Sequence, residues 1–190
     1  MEWNRIAVVS GLPRSGTSLM MQMLVAGGLP ALTDGIRQRD ESNPRGYYEL
    51  EAVKRTKRDP TWLDGAVGKC VKVVSVLLYD LPPDRRYKVV FMARPLDEVL
   101  ASQAAMLKAR GVRDKLDDTE MRRHFESHLA KLEKWLAGRA NYEVMRCEYG
   151  AVLAEPATQA ARVQTFLGAD LDTTAMAAAV DLGLHRQQHS

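Results

Sequence analysis

The chain has 190 residues, 46% of them apolar and 27% charged, with a formal net charge of +3. This mix excludes a disordered chain, and the length suits one domain with a sizeable core. So small a charge gives no argument for nucleic acid or a membrane surface as partner, yet it does not oppose an anionic ligand. The longest apolar stretch, 19–29, is interrupted by Gln22 and is too short to span a bilayer. Residues 1–5 show no basic region leading into an apolar segment, so no signal peptide is expected and a cytoplasmic location is. Cys70 and Cys147 each lie in an apolar run and are expected as two buried thiols rather than a disulfide.

In chain order, Arg5-Ile6-Ala7-Val8-Val9-Ser10 is a short β-branched run ending at Gly11 and predicts a buried strand. Beyond Gly16, Leu19, Met20, Met23 and Leu24 recur at helical spacing until Gly27-Gly28 ends the pattern. Residues 29–46 carry Pro30, Gly35, Pro44 and Gly46 among polar residues, which predicts a long loop. A polar helix is predicted over 48–58, closed by Asp59-Pro60, and strands at 70–74 and 87–92. Pro95 opens a helix whose apolar stripe is Val99, Leu100, Ala104 and Leu107, with Gly111 as its stop. Residues 119–137 repeat the helical period through Phe125, Leu129, Leu132 and Leu136. A fourth strand fits 142–146, and the rest is helical, broken at Pro156 and Gly168. Strands alternating with helices of this length imply an α/β fold: three layers around a mostly parallel sheet, as one domain over 1–190.

The segment after the first strand is Gly11-Leu12-Pro13-Arg14-Ser15-Gly16-Thr17-Ser18. Strand, glycine-bounded loop and helix make the setting of a phosphate-binding loop, where curled backbone N–H groups and the positive helix end meet an anion. The nucleoside-triphosphate version places a lysine directly after the second glycine. Here Thr17 stands in that place, and Arg14 is the loop's cation. The pattern points to an anion site and away from ATP or GTP chemistry; the plainer alternative is a tight turn capped by Thr17 and Ser18.

Pro13-Arg14-Ser15-Gly16-Thr17-Ser18-Leu19 resembles the 5′-phosphosulfate loop of sulfotransferases. A second segment, 89–102, is similar to that family's 3′-phosphate segment, in which an Arg at a strand end and a Ser eight residues later bind the 3′-phosphate of 3′-phosphoadenosine 5′-phosphosulfate; Arg94 and Ser102 keep that spacing. Lys72, with Leu81-Pro82 after it, resembles the family's lysine-bearing strand and Leu-Pro turn. Tyr149, Leu153 and Pro156 resemble a stretch whose Tyr lies against the adenine, with Gly150 in place of an acidic residue. Residues 43–49, Asn-Pro-Arg-Gly-Tyr-Tyr-Glu, look like a segment of bacterial members. The resemblance runs from about residue 6 to Arg186. It implies a P-loop fold, the phosphosulfate donor with adenosine 3′,5′-bisphosphate as product, and no metal. It further implies cofactor contacts at Arg14, Ser15, Gly16, Thr17, Ser18, Arg94, Ser102 and Tyr149, with Arg14 and Lys72 as catalytic cations, Arg14 meeting the charge that develops in transfer and Lys72 beside the leaving nucleotide.

The departures bear on catalysis. Small-molecule sulfotransferases carry a histidine as general base two residues after the lysine, and Val74 occupies that place. His124, His128, His185 and His189 come late and are expected on a helix surface and in the tail. A carboxylate is then the expected base: Glu49, at the start of the predicted helix and beside the covering loop, with Asp34 and Asp40 as rivals. The acceptor is expected to be a small molecule, glycan or peptide. Arg37 and Arg39 are candidate contacts, while Lys54, Arg55, Lys57 and Arg58 read as a solvated face. Two alternatives stand beside sulfuryl transfer: a P-loop kinase or other phosphotransferase, and a nucleotide-binding protein that keeps the fold without turnover.

Overall fold

Four parallel strands carry the architecture. In the computed structural model, which describes residues 5–36, 46–109, 111 and 117–180, they are β1 (Ile6–Gly11), β2 (Cys70–Lys72), β3 (Tyr87–Ala93) and β4 (Tyr142–Glu148). Their spatial order is β2-β1-β3-β4. Val8 pairs with Val71 on one side and Val89 on the other, which makes β1 a central strand. A central strand has backbone partners at both edges and other layers on both faces, so its run is apolar without alternation. All six residues of β1 are buried.

The faces divide by residue parity. Ala7 and Val9 look toward α1 (Thr17–Ala26), α5 (Pro156–Leu167) and α6 (Thr173–Ala178), which contribute Met20, Met23, Leu24, Val163, Leu167 and Met176. Ile6 and Val8 look the other way, toward Leu132 of α3 (Asp118–Ala137) and toward Leu63 and Leu78 from short 3-10 segments. On that side Tyr79, Trp135, Tyr142 and Tyr87 form a run of ring contacts with centroids 4.9, 5.3 and 5.0 Å apart. Helix α2 (Leu96–Ala109) follows β3, and α4 (Tyr149–Ala154) follows β4 without a loop. Helix ends are closed by local chemistry: Asp117 accepts from the Glu120 amide at 2.8 Å, and Gly168 is left-handed (φ 66°) after α5. No helix among the described residues is long and apolar enough to cross a membrane.

Two elements differ from the sequence reading. In place of the polar helix predicted over 48–58 there is an irregular run to Leu50 and the 3-10 segment Glu51–Arg55, with a second 3-10 segment, Thr61–Gly65, beyond it. Val53 is the one buried residue of the first segment. A single apolar anchor gives little packing to hold a full α-helix, whose stability in proteins comes mostly from a buried face. Strand β2 stops at Lys72; the Val73 amide still donates to the Val9 carbonyl (3.0 Å), after which the chain turns into the 3-10 segment Ser75–Asp80.

Cys70 and Cys147 are free and buried, on β2 and β4 respectively. Three inter-strand steps, about 14 Å, separate those strands, and a disulfide needs Cα atoms within about 7 Å. Burial pushes the Cys70 thiol up to about 12 and the Cys147 thiol up to about 11. Ellman's reagent at pH 8 is therefore expected to titrate neither thiol in the folded protein and both after denaturation without reductant; a native-state reactive thiol would contradict this placement.

Candidate functional site

Parallel strands bring their carboxyl ends to one edge of the sheet. At that edge the connections part, because β1 leads to β2 on one side while β3 leads to β4 on the other. Open α/β sheets hold ligands in the crevice at such a switch point, here between β1 and β3. The loop after β1, the start of α2 after β3, the start of α4 after β4 and the end of β2 all meet there.

The loop is built on a turn. The Leu12 carbonyl accepts from the Ser15 amide (3.2 Å) and the Ser15 hydroxyl (2.7 Å). Arg14 (φ 68°) and Gly16 (φ 100°) are both left-handed. At Gly16 a Cβ would lie 2.4 Å from Tyr149 Cδ2, so glycine is required for contact as well as for backbone freedom. Helix α1 starts with no side-chain cap and no acidic residue in its first turn. Its first N–H groups have no intrahelical acceptor, and its positive end is open at this edge. Ser15 and Thr17 are buried. The fully buried Ser10 hydroxyl, just before Gly11, has no partner among the described residues.

Arg14 and Ser102, separated by 88 residues, are in contact: Arg14 Nε donates to Ser102 Oγ at 3.0 Å. Arg94 Nη1 donates to the Arg14 carbonyl at 3.2 Å, and its guanidinium lies 4.5 Å from the centre of the Tyr149 ring. Tyr149 is thus packed between Arg94 and Gly16. Burial, the first cause, raises its phenol pKa despite the opposing pull of Arg94. Sequence reasoning missed Glu98, whose Oε2 accepts from Arg94 Nε at 2.8 Å. The signal was present in the four-residue steps 94, 98 and 102, the last two being one turn apart on α2 and the first standing just before it.

Lys72 gathers the other side of the crevice. Its Nζ donates to the Tyr47 carbonyl (3.0 Å) and Ser18 Oγ (3.2 Å) and lies 3.5 Å from Glu49 Oε1. Glu49 does not begin a helix; it sits in an irregular run next to Tyr48, which is left-handed (φ 52°). Asp34, the rival carboxylate, accepts from the Glu51 amide (2.6 Å) and the Ile36 amide (3.0 Å). Those bonds, the Glu51 one foremost, hold its pKa below the ordinary carboxylate range, a poor setting for a base. Asp40, Arg37, Arg39, His185 and His189 lie outside the described residues. His128 is not a plain surface residue: its Nε2 is 2.8 Å from the buried Ser75 hydroxyl, and burial lowers its pKa.

No protein-family model matches the chain, and no curated protein matches it. Solved structures do. A sulfotransferase from Mycobacterium tuberculosis H37Rv aligns with a TM-score of 0.59 at 20% identity, covering 97% of this chain and 74% of its own. A sulfotransferase from Alicyclobacillus acidocaldarius aligns with a TM-score of 0.51 at 15% identity over 97% of both chains. A sugar kinase from Janibacter sp. HTCC2649 aligns with a TM-score of 0.45 at 16% identity over 90% of this chain and 98% of its own. The likeness is one of fold: an α/β fold with an all-parallel sheet of order 2-1-3-4, as in bacterial sulfotransferase structures.

Gly16 and Gly28 offer a matched test of the loop. Both are left-handed (φ 100° and 94°), but a Cβ at Gly28 would meet nothing within 4 Å. Backbone strain of about 1–3 kcal/mol is common to both alanine variants. Gly16→Ala is expected to lose more stability than Gly28→Ala in denaturant titration, and Tyr149→Ala to remove that difference. Equal losses would mean that Tyr149 does not press on the loop.

Proposed function

We propose that the chain is a sulfotransferase that moves a sulfuryl group from 3′-phosphoadenosine 5′-phosphosulfate to a hydroxyl or amine of a small molecule, glycan or peptide. The observation that carries this reading is the Arg14–Ser102 contact, which closes the phosphosulfate-type loop directly against the segment resembling a 3′-phosphate site. A nucleotide bearing anionic groups at both its 5′ and 3′ positions needs two such positions side by side. The replacement of the nucleoside-triphosphate lysine by Thr17 favours the same ligand.

The residues fit such a donor. The N-terminal end of α1 has no side-chain cap, Gly16 leaves its Cβ space to Tyr149, and Arg94 has three N–H groups with no acceptor among the described residues. Arg14 and the amides of Gly16, Thr17 and Ser18 hold the 5′ end, with Ser15 fixing the turn through the Leu12 carbonyl; Arg94 and Ser102 hold the 3′-phosphate; Tyr149 closes the wall between them. The bound donor supplies an activated sulfuryl group attached to a stable leaving nucleotide. Lys72 brings its ammonium to the edge of the loop beside Ser18, where cationic charge stabilises negative charge that develops during transfer. Glu49 Oε1 accepts the proton that the acceptor loses as it attacks, and Lys72 steadies the carboxylate at 3.5 Å. No metal enters this arrangement.

Two measurements test the reading. By calorimetry, the wild type is expected to bind adenosine 3′,5′-bisphosphate at least about tenfold more tightly than ADP, since a charged hydrogen bond contributes roughly 1.5–3 kcal/mol. Arg94→Ala should erase that preference, and equal affinities in the wild type would reject the donor. In a labelled-donor screen against phenols, sugars and amines, Glu49→Gln is expected to lower transfer by about 10²–10⁴ with nucleotide affinity unchanged. An undiminished rate would reject Glu49 as the base.

A further inference from the structure

Glu98 and Ser102 lie one turn apart on α2 and Arg94 stands just before it, after β3, so that an acid is set between two groups that suit an anion. A carboxylate beside a phosphate position repels the ligand unless its charge is already engaged. Here it is engaged: Glu98 Oε2 accepts from Arg94 Nε at 2.8 Å, with the arginine side chain 7% and the glutamate side chain 26% exposed. An arginine so deeply placed needs a counter-charge, because leaving it unpaired out of water is costly.

The guanidinium is held on three sides. Glu98 takes Nε–H, the Arg14 carbonyl takes one Nη1–H at 3.2 Å, and the Tyr149 ring covers a face at 4.5 Å. A planar group anchored at Nε and Nη1 has its plane and its rotation set. What remains without an acceptor among the described residues is both N–H groups of Nη2 and one of Nη1. We infer that Glu98 is a positioning residue: its carboxylate fixes the Arg94 plane so that Nη1 supports the left-handed Arg14 carbonyl while Nη2 is kept for a phosphate oxygen. The chain of contacts then runs Glu98, Arg94, Arg14 backbone, Arg14 side chain, Ser102, and it returns to the helix on which it began. This inference rests on the proposed 3′-phosphate site, and it adds the residue that orients that site.

The readout is the ratio of affinities for adenosine 3′,5′-bisphosphate and 5′-AMP, measured by calorimetry on the intact chain. The two nucleotides differ only in the 3′-phosphate, so a general loss of structure does not change the ratio selectively. Glu98→Ala is expected to cut the wild-type preference by about tenfold, as for loss of one charge-assisted bond. Glu98→Gln keeps an oxygen for Nε and should retain most of the preference. In an Arg94→Ala background, Glu98→Ala should change nothing further. Should the alanine variant fail to fold, Glu98→Asp decides: one methylene short of Nε, it should lower the preference at least threefold. A wild type with no preference overturns the 3′-phosphate site and this inference with it. A wild type with the preference, and a Glu98→Ala or Glu98→Asp variant that keeps or sharpens it, overturns the role of Glu98 alone.

Discussion

The contact of Arg94 with the Arg14 carbonyl joins the end of β3 to the loop after β1 across 80 residues of sequence. Arg14 is a non-glycine residue in the left-handed region, a conformation that persists only where the surroundings support it. The support is Arg94 on its carbonyl and Ser102 at its side chain. Arg94 is in turn placed by Glu98 and by the ring of Tyr149, and Tyr149 can sit where it does because Gly16 has no side chain. Each of these residues is the reason another is tolerable.

Across β1 a second group is organised on the same principle. Lys72 is a buried lysine at the end of a three-residue strand, and its ammonium meets a carbonyl, a hydroxyl and a carboxylate. Two of those partners, Tyr47 and Glu49, belong to the irregular run before the first 3-10 segment, and the third, Ser18, belongs to α1 behind the loop. One amine therefore couples the segment carrying the candidate base to the segment carrying the candidate donor contacts. The strands supply the distances: β2 and β3 flank β1, so their ends present Lys72 and Arg94 on opposite sides of the loop.

Much of this was legible from residue order. Buried parallel strands are continuous apolar runs, which makes 6–11 and 87–93 easy to see, and the spacing of Arg94 and Ser102 carries its own geometry. Glu98 was hidden because an acid in the first turn of a helix already has an ordinary explanation in the helix dipole. Glu49 was read as a helix start because the polar run after it has helical composition; only the lack of apolar anchors beyond Val53 argues otherwise. The role of Asp34 depends on the Glu51 amide, 17 residues away, and that of His128 on Ser75, 53 residues away. Pairings of that kind come from tertiary packing and leave no local pattern.

The central place of β1 has a consequence for synthesis. The strand that emerges first has no backbone partner until Cys70–Lys72 and then Tyr87–Ala93 follow, because Ala7 pairs with Cys70 and Val8 with Val89. Until then the ribosome displays a mostly apolar segment with both edges open, a template for the wrong neighbour. Contacts so distant along the chain also form slowly once the chain is free. The same topology that converges four strand ends on one crevice leaves the central strand exposed to wrong pairing until β3 has been made.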